Sequence, residues 1–404
     1  MPRMNQILFA VVVSLFIALL GVGVVIPVLP IWATQLGATG FSLGLITAVF
    51  SASRGIMQPL VGGLSDQWGR KGFLLAGLFI YGVVGLLIPH ATNVTQLVVI
   101  RLVQGAGSAM IIPVAMAYAS FLAPPGHEGR YMSSVNIAIF CGIGAGPVIG
   151  GLLADSWGLA SVFYMMAVLC FFAFFVVQAT VPLCSPIDRP RQPGMLANFR
   201  LMIHRRRTMG ILLARFSTVL MMVPTMAFLP VLMAQWPGYS STQAGVVIAS
   251  RTVMNAVLQV PFGKLADRGH KVGLLLGGTV CLCLALLIIP GMKTLPAMIA
   301  VYLFLGFGEA VLWPVLGAYA AEEGRTHFGH GTMMGVFHLA MSGGVFAGAM
   351  VAGTSMDWWG IKQAFYITAT AIFVLTLVAV GLIRSGEKSG EQNTRAIEEL
   401  KPQL

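Results

Sequence analysis

The sequence predicts an all-α membrane protein, with twelve transmembrane helices in two pseudo-symmetric six-helix bundles. Three observations carry this: composition, the placement of positive charge, and an internal repeat. Of 404 residues, 57% are hydrophobic and only 9% are charged, and the mean hydropathy is +0.87. A soluble domain carries about 25% charged residues. So few charges cannot solvate a globular surface of this size, and lipid must be the solvent for most of it.

A helix needs about 20 apolar residues to cross the hydrocarbon core. Twelve stretches qualify, at 6–33, 41–64, 72–91, 95–121, 130–154, 159–181, 209–235, 242–265, 272–292, 295–320, 330–353 and 361–384. Glycine and proline recur inside them, as membrane helices tolerate. The first, from Ile7 to Val28, is long enough to span, with no small-residue cleavage site before Pro27 and Pro30. It therefore reads as a retained helix and not a removable signal. The expected organisation is a bundle over 1–181, a cytoplasmic linker over 182–208, a second bundle over 209–384 and a cytoplasmic tail over 385–404.

The net charge of +11 has to be read by position. With the N-terminus in the cytoplasm, eighteen of the 24 Lys and Arg residues fall in cytoplasmic segments or at the cytoplasmic ends of spans. Lys293 and Lys362 fall outside, and Arg54, Arg101, Arg215 and Arg251 lie within spans. That bias fixes the orientation under the positive-inside rule, and an odd number of spans would spoil it. The expected location is a bacterial inner membrane, multi-pass, with both termini cytoplasmic. The positive charge thus reports topology, and no nucleic-acid partner is expected.

The linker from Pro182 to Thr208 holds Arg189, Arg191, Arg200, Arg205, Arg206 and Arg207 with Pro186, Pro190 and Pro193. Met195 to Arg207 reads either as a basic helix on the inner leaflet, with Leu196, Phe199, Met202 and Ile203 facing lipid, or as a solvated connection. Arg215 reads as a snorkelling residue near the cytoplasmic end of span 7. The tail after Arg384 is polar and expected to be mobile. The five cysteines fit small apolar fillers. No metal spacing, phosphate loop or nucleophile–base set is present, so neither a metal, a cofactor nor an enzymatic activity is expected.

Shifted by 201 residues, the chain matches itself. Gln58, Gly62, Leu64 and Asp66 meet Gln259, Gly263, Leu265 and Asp267. Gly105, Gly107, Ala109, Pro113 and Tyr118 meet Gly306, Gly308, Ala310, Pro314 and Tyr319. With one extra residue, Trp157, Gly158, Phe163 and Tyr164 meet Trp359, Gly360, Phe365 and Tyr366. Two six-helix bundles of equal orientation follow, related by an axis along the membrane normal. Such repeats place a substrate site between the halves near the midplane.

Gly62-Gly63-Leu64-Ser65-Asp66-Gln67-Trp68-Gly69-Arg70-Lys71 joins spans 2 and 3. It resembles the GxLaDxxGRk signature of the major facilitator superfamily. Asp66 is placed at the N-terminal end of the next helix, where negative charge is favoured. Gly69 allows a tight turn, and Arg70 and Lys71 belong to the anionic interface. The resemblance implies a gating latch on Asp66, Gly69, Arg70 and Lys71, with a weaker second copy on Asp267 and Lys271. Arg101-Leu102-Val103-Gln104-Gly105 is similar to the RxxQG motif of the exporters. Gly142, Gly146, Pro147, Gly150 and Gly151 in span 5 resemble the antiporter motif GxxxGPxxGG, a small-residue stripe suited to close helix packing. Pro27-Val28-Leu29-Pro30 is similar to the first-helix motif of the twelve-span drug:proton antiporters. The resemblance thus covers the whole chain and implies the major facilitator fold. One departure is that span 1 has no acidic residue between Ile7 and Trp32.

Charges at membrane depth are costly and mark function. Glu309 is the one carboxylate deep in a span, and a low-dielectric site would raise its pKa towards neutrality. It is the first candidate proton carrier, the alternative being a static partner for an arginine. Arg101 takes the resemblance's coupling role, and His338 could titrate near neutral pH or serve in packing. Arg54 and Arg251, with no acidic neighbour at helical spacing, are candidates for an anionic group in a cavity. Gln104, Met226 and Trp313 are further cavity candidates.

Together these imply a proton-coupled secondary exporter of a small amphiphilic compound, working by alternating access, with a small-molecule substrate, protons and membrane lipids as partners and a monomeric state. One alternative is export or flipping of an anionic metabolite, such as a carboxylate siderophore or a lipid-like molecule. Another is a non-transporting sensor or scaffold on the same fold.

Overall fold

The computed structural model describes residues 2–122, 128–181, 201–266 and 270–400, and these contain helices and no strand. Helix α1 runs Pro2–Val25 and resumes, after a turn, over Leu29–Gln35. It is followed by α2 (Gly40–Trp68), α3 (Arg70–Leu87), α4 (Val94–Leu122), α5 (Glu128–Trp157) and α6 (Leu159–Thr180). Helix α7 comes in pieces, Arg206–Thr218 and Leu229–Met233, joined through a π-helical turn at Pro224–Phe228. Then come α8 (Ser241–Ala266), α9 (Lys271–Ile288), α10 (Leu295–Glu323), α11 (His330–Trp359) and α12 (Ile361–Leu400).

Eleven helices among the described residues are long and apolar enough to cross a membrane. The expected twelfth, span 7, is interrupted. Pro224 lacks an N–H and its ring opposes the carbonyl of Leu220, and here the helix gives way to a turn over 219–221, whereas Pro113 and Pro314 lie inside unbroken helices. The Leu220 carbonyl is instead packed by Gly348 of α11, where an added Cβ would stand 2.5 Å from it.

The repeat holds at atomic detail. A Cβ on Gly105 of α4 would collide with the Phe50 carbonyl of α2, and one on Gly306 of α10 would collide with the Arg251 carbonyl of α8. These two pairs are related by the same 201-residue shift. Small residues let backbones approach this closely, and in lipid such packing replaces the hydrophobic drive that binds helices in water. Outward-facing Phe79, Phe172, Phe175, Phe373 and Leu377 are all exposed. In water they would be a large apolar patch, but here they form the lipid-facing belt.

The two halves meet along α2 with α11 and α5 with α8. Gly40 and Gly44 press on Gly353 and Ala349, and Gly151 and Gly245 press on Ser241 and Pro147. These contacts lie towards the end remote from the two termini.

Three local expectations are corrected. Asp66 belongs to the last turn of α2 and not to the next helix, because the helix continues to Trp68 and breaks at Gly69, whose φ is +94°. Met202 is fully buried and does not face lipid, although Leu201 and Ile203 are exposed. The 201–204 helical segment ends at Arg205, and α7 starts at Arg206, earlier than expected. The proposed linker helix otherwise lies outside the described residues. The tail continues α12 as helix to Leu400.

Candidate functional site

Arg251 of α8 and Glu309 of α10 form a buried bidentate ion pair. Arg251 Nε donates to Glu309 Oε2 at 2.6 Å, and Nη2 donates to Oε1 at 2.6 Å. Both residues are 2% exposed. The close approach at Gly306 sets this up, since it presses α10 on the Arg251 backbone and Glu309 follows three residues later on the same helix face. The acidic partner that span 8 lacks therefore comes from a neighbouring helix.

The other Arg251 donors are also used. Nη1 donates to Thr225 Oγ1 at 2.7 Å, and Nη2 lies 3.4 Å from Met222 Sδ. Thr225 Oγ1 donates to the Met221 carbonyl at 2.7 Å, which leaves its lone pairs for Arg251. Tyr302 Oη donates to the Thr225 carbonyl at 2.9 Å. Burying an ion pair costs several kcal/mol per ion unless the remaining donors are satisfied, and the break in α7 is what supplies these acceptors.

The first half holds an altered copy. By the 201-residue shift, Phe50 and Arg101 occupy the places of Arg251 and Tyr302, so the cation and the ring have exchanged helices. Arg101 lies 4.1 Å from the Phe50 ring centroid. Ser108 stands where the second half has Glu309. Arg101 Nη1 donates to Gln104 Oε1 at 2.5 Å, and its buried Nε has no hydrogen-bond partner. Gln104 is 2% exposed and its amide points to Met166 Sδ at 3.8 Å, so it is committed to the helix packing.

Arg215 does not snorkel. It is 5% exposed, with Nη2 2.9 Å from Met341 Sδ. Its guanidinium lies 4.9 Å from the Trp313 ring and 5.0 Å from the Phe337 ring. Its Nε has no hydrogen-bond partner. The early start of α7 explains the depth: Arg206 and Arg207 take the interface, and Arg215 falls two turns further in. Arg54 is half-buried, with no carboxylate partner among the described residues. It acts electrostatically on Tyr81 and on His338. His338 Nδ1 donates to the Met334 carbonyl at 2.8 Å. Met226 and Trp313 are half-buried.

The residues expected to form a gating latch lie as follows. Arg70 is 5% exposed and donates to the Ala117 carbonyl at 2.7 Å, so it is buried against α4 and not left in the interface. Lys71 Nζ donates to the Gln178 carbonyl at 2.8 Å. The Asp66 side chain and all of Asp267 lie outside the described residues. Lys271 Nζ pairs with Glu322 at 2.7 Å. The sequence reading missed the cluster around it. Arg207 pairs with Glu322 at 2.8 Å and with fully buried Glu323 at 3.0 Å, and Thr208 donates to Glu323 at 2.8 Å. Burial works against the Arg207 charge, but Glu322, Glu323 and Glu387 outweigh it and hold its pKa above the ordinary arginine value. The adjacent Glu322-Glu323 and the Arg205–Arg207 run were the available signal.

The antiporter-like stripe serves two contacts. Gly142, Gly146 and Gly150 face Leu19, Gly23 and Val24 of α1, while Gly151 and Pro147 face α8 across the halves. At the remote end, Asp155 accepts from the backbone N–H groups of Ser241 and Thr242, both at 2.8 Å. Asp357 likewise accepts from Gly40 at 2.6 Å and Phe41 at 2.7 Å.

The sequence profile of the Major Facilitator Superfamily matches residues 11–235 and 211–402. An uncharacterized MFS-type transporter of Methanocaldococcus jannaschii is 28% identical over 385 residues, covering 94% of this chain and 98% of the relative. The quinolone resistance protein NorA of Staphylococcus aureus is 32% identical over 152 residues, 38% of this chain and 39% of NorA. Among solved structures, the nucleoside transporter NupG superposes with a TM-score of 0.80 at 12% identity, covering 93% of this chain and 99% of that one. A bacterial homolog of the human lysosomal transporter Spinster, in an inward-facing conformation, gives 0.76 at 13% identity, covering 96% and 98%. With twelve helical segments in two register-matched halves and a family profile matching nearly end to end, this chain belongs to the Major Facilitator Superfamily.

Proposed function

We propose that this transporter is a proton-coupled exporter of a small amphiphilic compound, working by alternating access between its two halves. The observation that carries the reading is the Arg251–Glu309 pair. Glu309 is the one carboxylate at mid-span among the described residues, and both its oxygens serve Arg251. Protonating it cancels the charge and turns one oxygen into a donor facing another donor. Arg251 then loses its bidentate hold, and the tie from α8 through Thr225 to the broken α7 loosens. Proton occupancy thereby biases two packings of one element, which is what coupling requires.

The contacts between the halves at the end remote from the termini fit this scheme. In the orientation expected from the charge bias, with the chain in an inner membrane and both termini cytoplasmic, that end is external. A substrate site between the halves would then open to the cytoplasm, where an exporter loads. The partial likeness to a quinolone resistance protein supports an amphiphilic cargo. Arg101 and His338 are assigned supporting coupling roles. Arg70, Lys71 and Lys271 are assigned to the cytoplasmic latch, with Asp66 and Asp267.

The test is gradient-driven movement of a fluorescent quinolone in proteoliposomes, with wild type beside Glu309→Gln. Wild type should respond to an imposed pH gradient and the variant should lose that response. Unchanged gradient-driven transport in the variant would remove Glu309 from coupling. A second reading, an anionic cargo, is favoured by the excess of buried arginine.

A further inference from the structure

Among the described residues, four arginines lie at depth in the spans and one carboxylate opposes them. Arg251 and Glu309 neutralise each other. Arg54, Arg101 and Arg215 make no ion pair with a carboxylate among the described residues, and Arg215 feels Glu309 only at longer range. A charge at membrane depth costs at least about 2.5–3.5 kcal/mol on insertion scales. Three such charges favour a counter-ion. Arg101 has Gln104 and the Phe50 ring, and Arg215 has the Trp313 and Phe337 rings and Met341 Sδ; of the three, Arg54 and Arg215 are the two whose surroundings come from both halves.

These two converge on one short stretch of α11, Phe337–Ser342. From the first half, Ser51 Oγ donates to the Ser342 carbonyl at 3.0 Å, and a Cβ on Gly55 would stand 2.6 Å from the Ser342 Cβ. Arg54 lies between these two contacts on α2. From the second half, Arg215 reaches the same stretch through Met341 Sδ and the Phe337 ring. His338, on that stretch, is acted on electrostatically by both guanidinium groups. Trp313 and Phe337 hold the Arg215 cation through their ring faces, and this steadies the charge without cancelling it. The buried Nε–H is left without an acceptor.

We propose that Arg54 and Arg215 form an anion site across the two halves, and that the cargo is an amphiphilic organic anion with its carboxylate or sulfonate head between them. Charge-assisted bonds to one arginine from each half favour the state in which the halves close on the ligand. The half-buried Trp313 ring and Met341 thioether beside Arg215 suit an aromatic or acyl body of variable shape. This rests on the alternating-access reading and narrows its substrate class.

The test is binding to the purified full-length protein without any gradient, read as a shift in thermal unfolding. The probes are 2-naphthoate and 2-naphthyltrimethylammonium, which share a ring and differ in charge. Naphthoate should stabilise wild type in a saturable way and the cation should not. Arg54→Gln and Arg215→Gln should each weaken naphthoate at least about tenfold, as loss of a charged hydrogen bond does. Arg215→Lys, which keeps the charge but not the fork, should fall between. Should Arg215→Gln fail to fold, Arg54→Gln and Arg215→Lys carry the comparison. No stabilisation by naphthoate, stabilisation by the cation, or an undiminished naphthoate shift in these variants overturns the site. Because binding is read without a gradient, failure here leaves the Glu309→Gln transport result standing, and the reverse also holds.

Discussion

Asp155 and Asp357 make the same contact in opposite directions: each ends a helix of one half and caps the first backbone N–H groups of a helix in the other. Asp155 closes α5 onto α8, and Asp357 closes α11 onto α2. The first N–H groups of a helix have no partner within it, and the helix dipole favours negative charge there. The pair is therefore an electrostatic clasp on the end of the transporter remote from its termini.

Removing the clasp should favour opening at that end. A carboxylate cap is worth about 0.5–2 kcal/mol, so Asp155→Ala with Asp357→Ala should raise the open population about fivefold or more. Spin labels at exposed Trp157 and Trp358 would report it as a longer distance component in pulsed electron resonance. An unchanged distance distribution would refute the clasp.

The buried pair predicts a specific pattern of stability. Arg251→Ala strands an unpaired carboxylate and should cost about 3–5 kcal/mol. Replacing both partners, as Arg251→Met with Glu309→Leu, should recover most of the thermal stability while abolishing gradient-driven transport. A double variant as unstable as the single one would show that the pair is held for reasons other than its charge.

Gly306 predicts a coupled defect. Gly306→Ala forces a Cβ into the Arg251 carbonyl, and overpacking of this kind costs about 1–3 kcal/mol. It should also part α8 from α10 and weaken the pair with Glu309. Gly277→Ala in α9 is the control, because no atom lies within 4 Å of its Cβ position, and it should be neutral or stabilising by up to about 1 kcal/mol. Equal unfolding temperatures for the two variants would contradict the packing account.

The break in α7 predicts a trade of stability against turnover. Pro224→Ala restores a backbone N–H and removes the ring clash, worth about 3 kcal/mol in a helix interior. A straightened α7 would withdraw the Thr225 acceptors from Arg251 and slow transport. Retained turnover together with a raised unfolding temperature would show that the break is incidental.

The spans and the duplication were legible in the sequence, because lipid admits only long apolar helices and a duplicated chain keeps its register. Glu309, Arg101, Arg54 and Arg251 were legible as unusual for the same reason: charge at that depth stands out against its surroundings. Their partners were not. Glu309 reaches Arg251 across 58 residues of chain, and only the glycine contact between α8 and α10 makes them neighbours. Arg215 was misplaced, since its depth depends on where α7 begins, and Arg207 fixes that start through Glu322 and Glu323. The clasp on Asp155 and Asp357 was hidden because a helix end near an acidic residue is visible in sequence, but the helix it caps belongs to the other half. By itself the sequence determined which segments enter the membrane and that they come twice, since both are set by solvation and descent along one chain. Only the tertiary structure decided which charges are neutralised and which remain open, because pairing depends on which helices touch.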